Sequence, residues 1–358
     1  MIQGQFSAIE IFSGGGGLAV GLKEAGFNTL AAVEVEPHAV ATFEANHPSV
    51  QVFSQDVRTI TGLMLSPFTK GEIDVLAACP PCQGFSSLTA KWHREDKRNK
   101  LVNEVGRLAE ELRPRAIMME NVPGLATRGQ SLLDGLLDQL KKLGYNPTCS
   151  ILQVADYGVP QCRRRLVMLA GLGFSIPMPN VTHSITGENN KKKWRTVRDT
   201  ISGMEKPITF SEAKKMGGAQ AFDWHVVRTL SPVNIQRLKK SHEGGTWEDL
   251  PENLRAPCHR NGYKGFLNVY GRMNWDKPSG TITAGCTTLS KGRFGHPDEN
   301  RTISLREAAL LQTFPSDYRF ETTIFERACE IVGNALPCKF AEVIARQVKQ
   351  SLIAHKNC

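Results

Sequence analysis

Phe6-Ser7-Ala8-Ile9-Glu10-Ile11-Phe12-Ser13-Gly14-Gly15-Gly16-Gly17-Leu18-Ala19 is the stretch that decides the fold. The apolar run Phe6–Phe12 reads as a strand, and four glycines then allow a tight turn into a helical pattern over Leu18–Ala25. Glycine at such a turn lets the backbone come close to a ligand at a helix N-terminus. Gly14, Gly16 and Ala19 satisfy the G-x-G-x-x-A dinucleotide pattern, and Glu34 follows Gly14 by 20 residues, at the end of a second apolar run, Asn28–Val35. An acid in that place hydrogen-bonds ribose hydroxyls. A turn that merely needs glycine is the plainer reading of the loop alone. Loop and acid together point to an adenosine-containing cofactor, without separating NAD from S-adenosylmethionine.

Working outward, further strands are expected at Glu72–Ala78, Arg115–Glu120 and Arg165–Ala170, with amphipathic helices at Pro37–Ala45, Leu101–Leu112 and Leu132–Leu143. Strand–helix alternation predicts an α/β fold whose sheet is parallel, doubly wound and covered by helices on both faces. Ligands then sit beyond the carboxyl ends of the strands. The rhythm stops near Leu172. Gly173–Asn190 reads as a domain exit, and regular structure resumes with Ser304–Thr313, which opens on a capping-box pattern, and a final helix over Leu336–Ala354. The expected division is therefore 1–172 plus 325–358 for a catalytic domain and 173–324 for a smaller one.

Charge follows the same division. Residues 171–295 carry 19 Lys and Arg against 10 Asp and Glu, the whole of the net +9 of the 358-residue chain. A basic excess confined to one module, interleaved with Trp194, Trp224, Trp247 and Trp275, suits a polyanionic partner such as nucleic acid. No apolar stretch reaches the roughly 18 residues of a membrane span. The first residues lack a signal-peptide pattern, and nine cysteines form no evident disulfide framework, so a cytoplasmic protein with reduced thiols is expected.

Three strand ends carry further chemistry. Glu72–Ala78 runs into Cys79-Pro80-Pro81-Cys82-Gln83-Gly84-Phe85-Ser86-Ser87, where two prolines stiffen the exit and present a thiol ahead of a mobile Gly-Phe-Ser-Ser loop. The C-x-x-C spacing also allows a redox dithiol or half a zinc site. Zinc lacks a second ligand pair, and a redox role leaves the glycine loop unexplained. Glu120-Asn121-Val122 places a carboxylate after an apolar strand, at the edge expected for Cys82. Partial burial favours the protonated form of such a group, although a turn-capping acid would look the same. In Gln161-Cys162-Arg163-Arg164-Arg165, alternation along a strand would turn Arg163 and Arg165 to one side.

Together these elements resemble the DNA cytosine-5 methyltransferases of the bacterial modification type. The resemblance rests on Phe12-Ser13-Gly14-x-Gly16-Gly17, Glu34, Asp56, Pro80-Pro81-Cys82-Gln83-Gly84-Phe85-Ser86, Glu120-Asn121-Val122, Gln161-x-Arg163-x-Arg165, Arg306-Glu307-Ala308-Ala309-x-x-Gln312-x-Phe314-Pro315 and Gly333-Asn334-Ala335. They occur in the family's order, and only about 173–270, where the family keeps its variable target-recognition segment, falls outside them. Cys79 departs from the pattern, standing where the family often has glycine, and is read as structural.

The resemblance implies a Rossmann-like S-adenosylmethionine-dependent sheet with a small target-recognition domain. It makes Cys82 the nucleophile at C6 of cytosine, Glu120 the group that protonates N3, and Arg165, with Arg163 behind it, the partner of the O2 edge. It assigns the methyl donor S-adenosyl-L-methionine to Phe12, Ser13, Gly14, Gly16, Gly17, Leu18, Glu34, Val35, Asp56, Val57, Pro80, Asn334 and Ala335, with no metal. The partner is double-stranded DNA, whose target base must be flipped out to be reached. Ser86, Ser87, Lys91, Arg94 and Arg98 on the loop after Cys82, and Arg228, Arg237, Lys264 and Arg272 in the small domain, are the expected DNA contacts. A monomer is expected, together with a cognate restriction endonuclease that shares the site without forming a stable complex. A tRNA cytosine-5 methyltransferase of the same fold is the alternative, disfavoured by the long basic segment. A silent DNA-binding relative is disfavoured by the complete Cys82, Glu120 and Arg165 set, and an NAD-dependent oxidoreductase leaves the Pro-Pro-Cys loop unexplained.

Overall fold

A computed structural model describes residues 6–69, 71–81, 83–85, 97–260 and 266–356. The chain divides into two compact units, Met1–Tyr157 with Arg164–Thr182 and Leu336–Cys358, and Gly158–Arg163 with His183–Ala335.

The first unit is built in the order β1 (Phe6–Ile11), α1 (Gly17–Glu24), β2 (Phe27–Glu34), α2 (Pro37–Asn46), β3 (Gln51–Ser54), α3 (Gly62–Thr69), β4 (Val75–Ala78), α4 (Asn103–Leu112), β5 (Ala116–Asn121), α5 (Gln130–Lys142), β6 (Tyr145–Gln153) and β7 (Arg164–Leu172). The seven strands form one sheet in the order β3-β2-β1-β4-β5-β7-β6. β1 to β5 pair in parallel, as alternation with helices requires. β7 does not conform to the all-parallel expectation: it pairs antiparallel with both β5 and β6. The chain reaches it from β6 through a short connection, with no crossover helix to reverse its direction.

Alternation along the strands sorts the sheet into two faces. Ile9, Ile11, Val33, Leu76, Ile117, Met119, Leu166 and Met168 form one core with Leu108, Leu133, Leu136 and Leu140 from α4 and α5. The other face bears α1 and the C-terminal helix (Cys338–Lys356), which lie so close that a Cβ on Gly21 would fall 2.4 Å from the Cβ of Ala341.

The second unit holds α6 (Arg198–Ile201), α7 (Phe210–Lys215), α8 (Pro232–Lys240), α9 (Leu305–Leu311) and α10 (Phe325–Asn334), and the C-terminal helix of the first unit is α11. Trp224 is buried and donates from Nε1 to the carbonyl of Phe320 at 2.9 Å, with Phe210 and Phe325 packed around it. Ser304 and Glu307 cap α9 reciprocally, as the sequence signature predicts, and buried Glu307 pairs with Arg301 at 2.8 Å. α10 lies in this compact unit, where Phe325 packs beside Phe210 and Trp224. Among the described residues, no helix is long and apolar enough to cross a membrane.

Candidate active site

The glycine loop follows from the end of β1. Phe12 takes a left-handed φ of 59°, as do Gly14 at 53° and Gly16 at 91°, so the chain reverses within five residues and enters α1 through Gly16, a cap residue that makes no side-chain hydrogen bond. Ser13 fastens the turn by donating from its amide to the Val33 carbonyl at 3.1 Å. Glu34 ties the two strand ends together: Oε2 accepts from the Gly14 amide at 2.7 Å, and Oε1 from Val35 and Glu36 at 2.8 and 2.9 Å. Beside it Val35 is 61% exposed, an apolar residue next to a carboxylate. Asp56 lies two residues beyond the end of β3, where Arg58 holds its carboxyl down at about 2 through a two-pronged hydrogen bond. Leu18 and Val57 are buried beneath this edge. His47, after α2, has no motif to mark it in the sequence. Its ring bonds to the backbone of Gly16, and burial, then Lys23, lowers it to about 4.

The second cluster lies on the α1 and α11 side of the sheet. Register pairs Ile11 with Ala78 and Ala78 with Met119, so the next step outward sets Cys79 beside Glu120. Glu120 is buried at the end of β5 and meets Arg165 from β7, whose Nε lies 2.6 Å from Oε1. Burial lowers Arg165 from its ordinary range, and Glu120 opposes that shift. Asn121 braces the Pro-Pro exit by donating from Nδ2 to the Pro80 carbonyl at 3.1 Å. Beyond it, Gln83–Phe85 forms a short 3₁₀ turn whose Phe85 carbonyl accepts from Arg128. Cys82, Ser86, Ser87, Lys91, Arg94 and Lys264 lie outside the described residues.

Arg163 departs from the expected alternation. β7 begins only at Arg164, and Arg163 belongs to the second unit, where it is buried and donates to the Ile282 carbonyl at 2.9 Å. In the same unit buried Gln161 bonds Gln312 at 2.7 Å, and Gln312 in turn donates to the carbonyls of Val332 and Ala335. That clamp fixes the Asn334–Ala335 turn, with the Asn334 side chain exposed.

The arginines expected at DNA are largely committed elsewhere. Arg272 is buried and donates to the carbonyls of Leu238, Ser241, His296 and Glu299 and to Asn300, leaving no fork to read a base. Arg237 bonds the Leu254 carbonyl and Asn234 and stacks 4.6 Å from the Tyr270 ring. Arg228 pairs with Glu326 at 3.0 Å and lies over Phe325. Arg98 is exposed, as are Lys192, Lys193, Lys239 and Lys240. Among the described residues no cluster of His, Cys, Asp or Glu has the makings of a metal site.

The family description of C-5 cytosine-specific DNA methylases matches residues 6–350. The chain is 37% identical to the Type II methylase M.HgiDII of Herpetosiphon aurantiacus, over 97% of this chain and 96% of that protein. It is 32% identical to the Type II methyltransferase M1.HphI of Haemophilus parahaemolyticus, over 95% and 86%. Among solved structures, a putative DNA modification methyltransferase encoded within an Escherichia coli prophage superposes with a TM-score of 0.73 at 23% identity, covering 97% of this chain and 99% of that one. The Dnmt2 methyltransferase of Schizosaccharomyces pombe gives 0.64 at 18% identity, over 99% and 100%.

Proposed function

Because this chain belongs to the C-5 cytosine-specific DNA methylase family and is a DNA cytosine-5 methyltransferase, we propose that it methylates C5 of a cytosine flipped out of double-stranded DNA, through a covalent bond to Cys82. S-adenosylmethionine is the proposed methyl donor, and its donor set fits the residues at the glycine loop. Gly14 has open space on its Cβ side, Glu34 offers carboxylate oxygens for ribose hydroxyls, Val35 offers an exposed apolar surface for adenine, and Asp56 an acceptor for the adenine amine. When bound, it supplies an electrophilic methyl group.

The Glu120–Arg165 pair carries the mechanistic reading. C5 of cytosine is too weak a nucleophile unaided. The Cys82 thiolate adds to C6, the ring electrons move toward N3, and Glu120 delivers a proton there, leaving C5 enamine-like. Arg165 keeps the resulting Glu120 carboxylate compensated in a site from which water is largely excluded, and its remaining donors suit the O2 edge. After methylation, a base such as water takes the C5 proton, the C5–H electrons form the C5–C6 double bond and break the C6–S bond, and N3 returns its proton to Glu120, so that Cys82 leaves as thiolate and Glu120 is restored. A role as the modification enzyme of a restriction–modification system fits the relatives' Type II designations.

The direct test is base-resolution sequencing of 5-methylcytosine in plasmid DNA from cells expressing the chain, with Cys82→Ser as control. Methylation confined to one short sequence and absent from the control is expected. Methyl groups in tRNA and none in DNA would replace this reading, and substantial turnover by Cys82→Ser would end the covalent mechanism.

A further inference from the structure

Two segments distant in sequence meet beyond the end of β3: the turn Asp56–Gly62, which leads into α3, and the helix α4. Arg107 of α4 makes the junction. Its Nε donates to Glu104 at 2.7 Å, its Nη1 to Glu111 at 2.7 Å, and its Nη2 reaches across to the Val57 carbonyl at 3.0 Å. Glu111 also accepts from the Gly62 amide at 2.5 Å, so one helix holds the turn at both ends. The approach is close: a Cβ on Gly62 would lie 2.9 Å from that of Glu111. Between those ends, buried Val57 and Ile60 join Val105 and Leu108 in the core. Helical spacing alone accounts for Glu104 and Glu111, three and four residues from Arg107. It does not account for the third donor, which leaves the helix.

The Val57 carbonyl accepts from the Ile60 amide as well, at 3.1 Å, so both of its lone pairs are used. That fixes the short 3₁₀ turn Val57–Thr59, and Asp56 is the residue that caps it. The Asp56 Oδ1 accepts from the Arg58 amide at 3.0 Å, and the Asp56 carbonyl accepts from the Thr59 amide at 2.9 Å. The direction of the Asp56 carboxylate is therefore set by the turn, and the turn is held by Arg107. The Arg58 guanidinium, which also bonds Asp56, is 67% exposed, and a surface pair of that kind holds little in place.

We propose that Arg107 is a positioning residue for the cofactor: locked between Glu104 and Glu111, its guanidinium holds the Val57 carbonyl and so aims the Asp56 carboxylate at the adenine amine, giving the site a preference for a 6-amino over a 6-oxo purine. This rests on the reading of Asp56 as the acceptor of that amine. A planar fork supplies donors in three fixed directions, which the single nitrogen of a lysine does not.

The experiment is calorimetric titration with S-adenosylhomocysteine and with S-inosylhomocysteine, whose purine carries an oxo group where adenine has its amine. The proteins are wild type, Arg107→Met, Arg107→Lys, Asp56→Ala and the Arg107→Met, Asp56→Ala double variant, with thermal melts as a folding control. Wild type should bind the amino ligand more tightly, and Asp56→Ala should remove most of that preference. Arg107→Met should weaken S-adenosylhomocysteine roughly three- to tenfold, the effect of one hydrogen bond, and leave S-inosylhomocysteine nearly unchanged. Added to Asp56→Ala, it should cost nothing further. An arginine that merely braced α4 would lower the melts and leave the ratio of the two affinities alone. An unmoved ratio, equal weakening of both ligands, or full additivity with Asp56→Ala would overturn the proposal. If Arg107→Met fails to fold, Arg107→Lys decides it: the charge between the glutamates stays while the fork is lost, and a wild-type ratio there would overturn the proposal too. Failure of the underlying reading has its own signature: a wild-type protein that does not discriminate, or an Asp56→Ala variant that keeps the full preference, takes Asp56 off the adenine and this proposal with it.

Discussion

Arg165 and Glu120 face each other with side chains only 13% and 11% exposed, so each is the other's compensation for leaving water. Arg165→Ala should destabilise the fold by about 3–5 kcal/mol, because it strands a buried carboxylate. Urea unfolding of Arg165→Ala, Glu120→Ala and the double variant checks this: the double variant should recover part of the loss, and strict additivity would mean the pair is not coupled. Glu34 acts on a different process. Its carboxylate accepts from three amides at the glycine loop and is the proposed ribose partner, so Glu34→Ala should weaken S-adenosylmethionine binding roughly tenfold or more, by calorimetry, while Cys82→Ser leaves it nearly unchanged. Glu34, Glu120 and Arg165 were legible because each ends or begins an apolar run, and a strand end has one edge to face. Arg163 was misread for the same reason: with β7 starting at Arg164, strand alternation has no hold on it.

At the scale of elements, β1, β2, β4 and β5 read directly from apolar runs, since parallel strands are buried on both faces. β3 and β6 went unseen because they are edge strands. Gln51–Ser54 is short, and Tyr145–Gln153 carries Asn146, Pro147, Thr148 and Ser150, which only an edge tolerates. The end of α2 holds a device with no sequence signature, the His47 ring packed 4.7 Å from Phe43 and bonded to the backbone of Gly16. His47 is lowered from 6.5 to about 4 by burial first and Lys23 second. Its folded value lies below its unfolded one, so as pH falls from 6.5 to about 4 the unfolded chain takes the proton first. Stability is therefore fully present above that window and lost through it, by roughly 2–3 kcal/mol. The drop in unfolding free energy from about pH 7 to about pH 4.5 should be larger for wild type than for His47→Gln by that amount. Parallel curves would mean that His47 titrates alike in both states.

For the whole molecule, composition located the basic excess in one segment but could not say which cations stay free. Arginine is the natural choice for reading bases, and several of the arginines here are engaged in packing contacts. A planar fork of five donors is also the best internal clamp for carbonyls, which is how Arg272, Arg237 and Arg163 are used, whereas a compact, strongly hydrated ammonium gains little from burial. The cations left in water are therefore mainly lysines, among them Lys239 and Lys240 in the last turn of α8. If these hold phosphates, each contact releases counterions, and affinity falls with salt at a slope of about −0.9 per phosphate on duplex DNA. Lys239→Ala with Lys240→Ala should then flatten the slope of log affinity against log salt by up to about 2, equally for cognate and unrelated sequences, and leave S-adenosylmethionine binding alone. An unchanged slope would take α8 off the DNA and pass the role to other exposed lysines, such as Lys192 and Lys193. A loss confined to the cognate site would mean that one of the pair reads a base rather than the backbone.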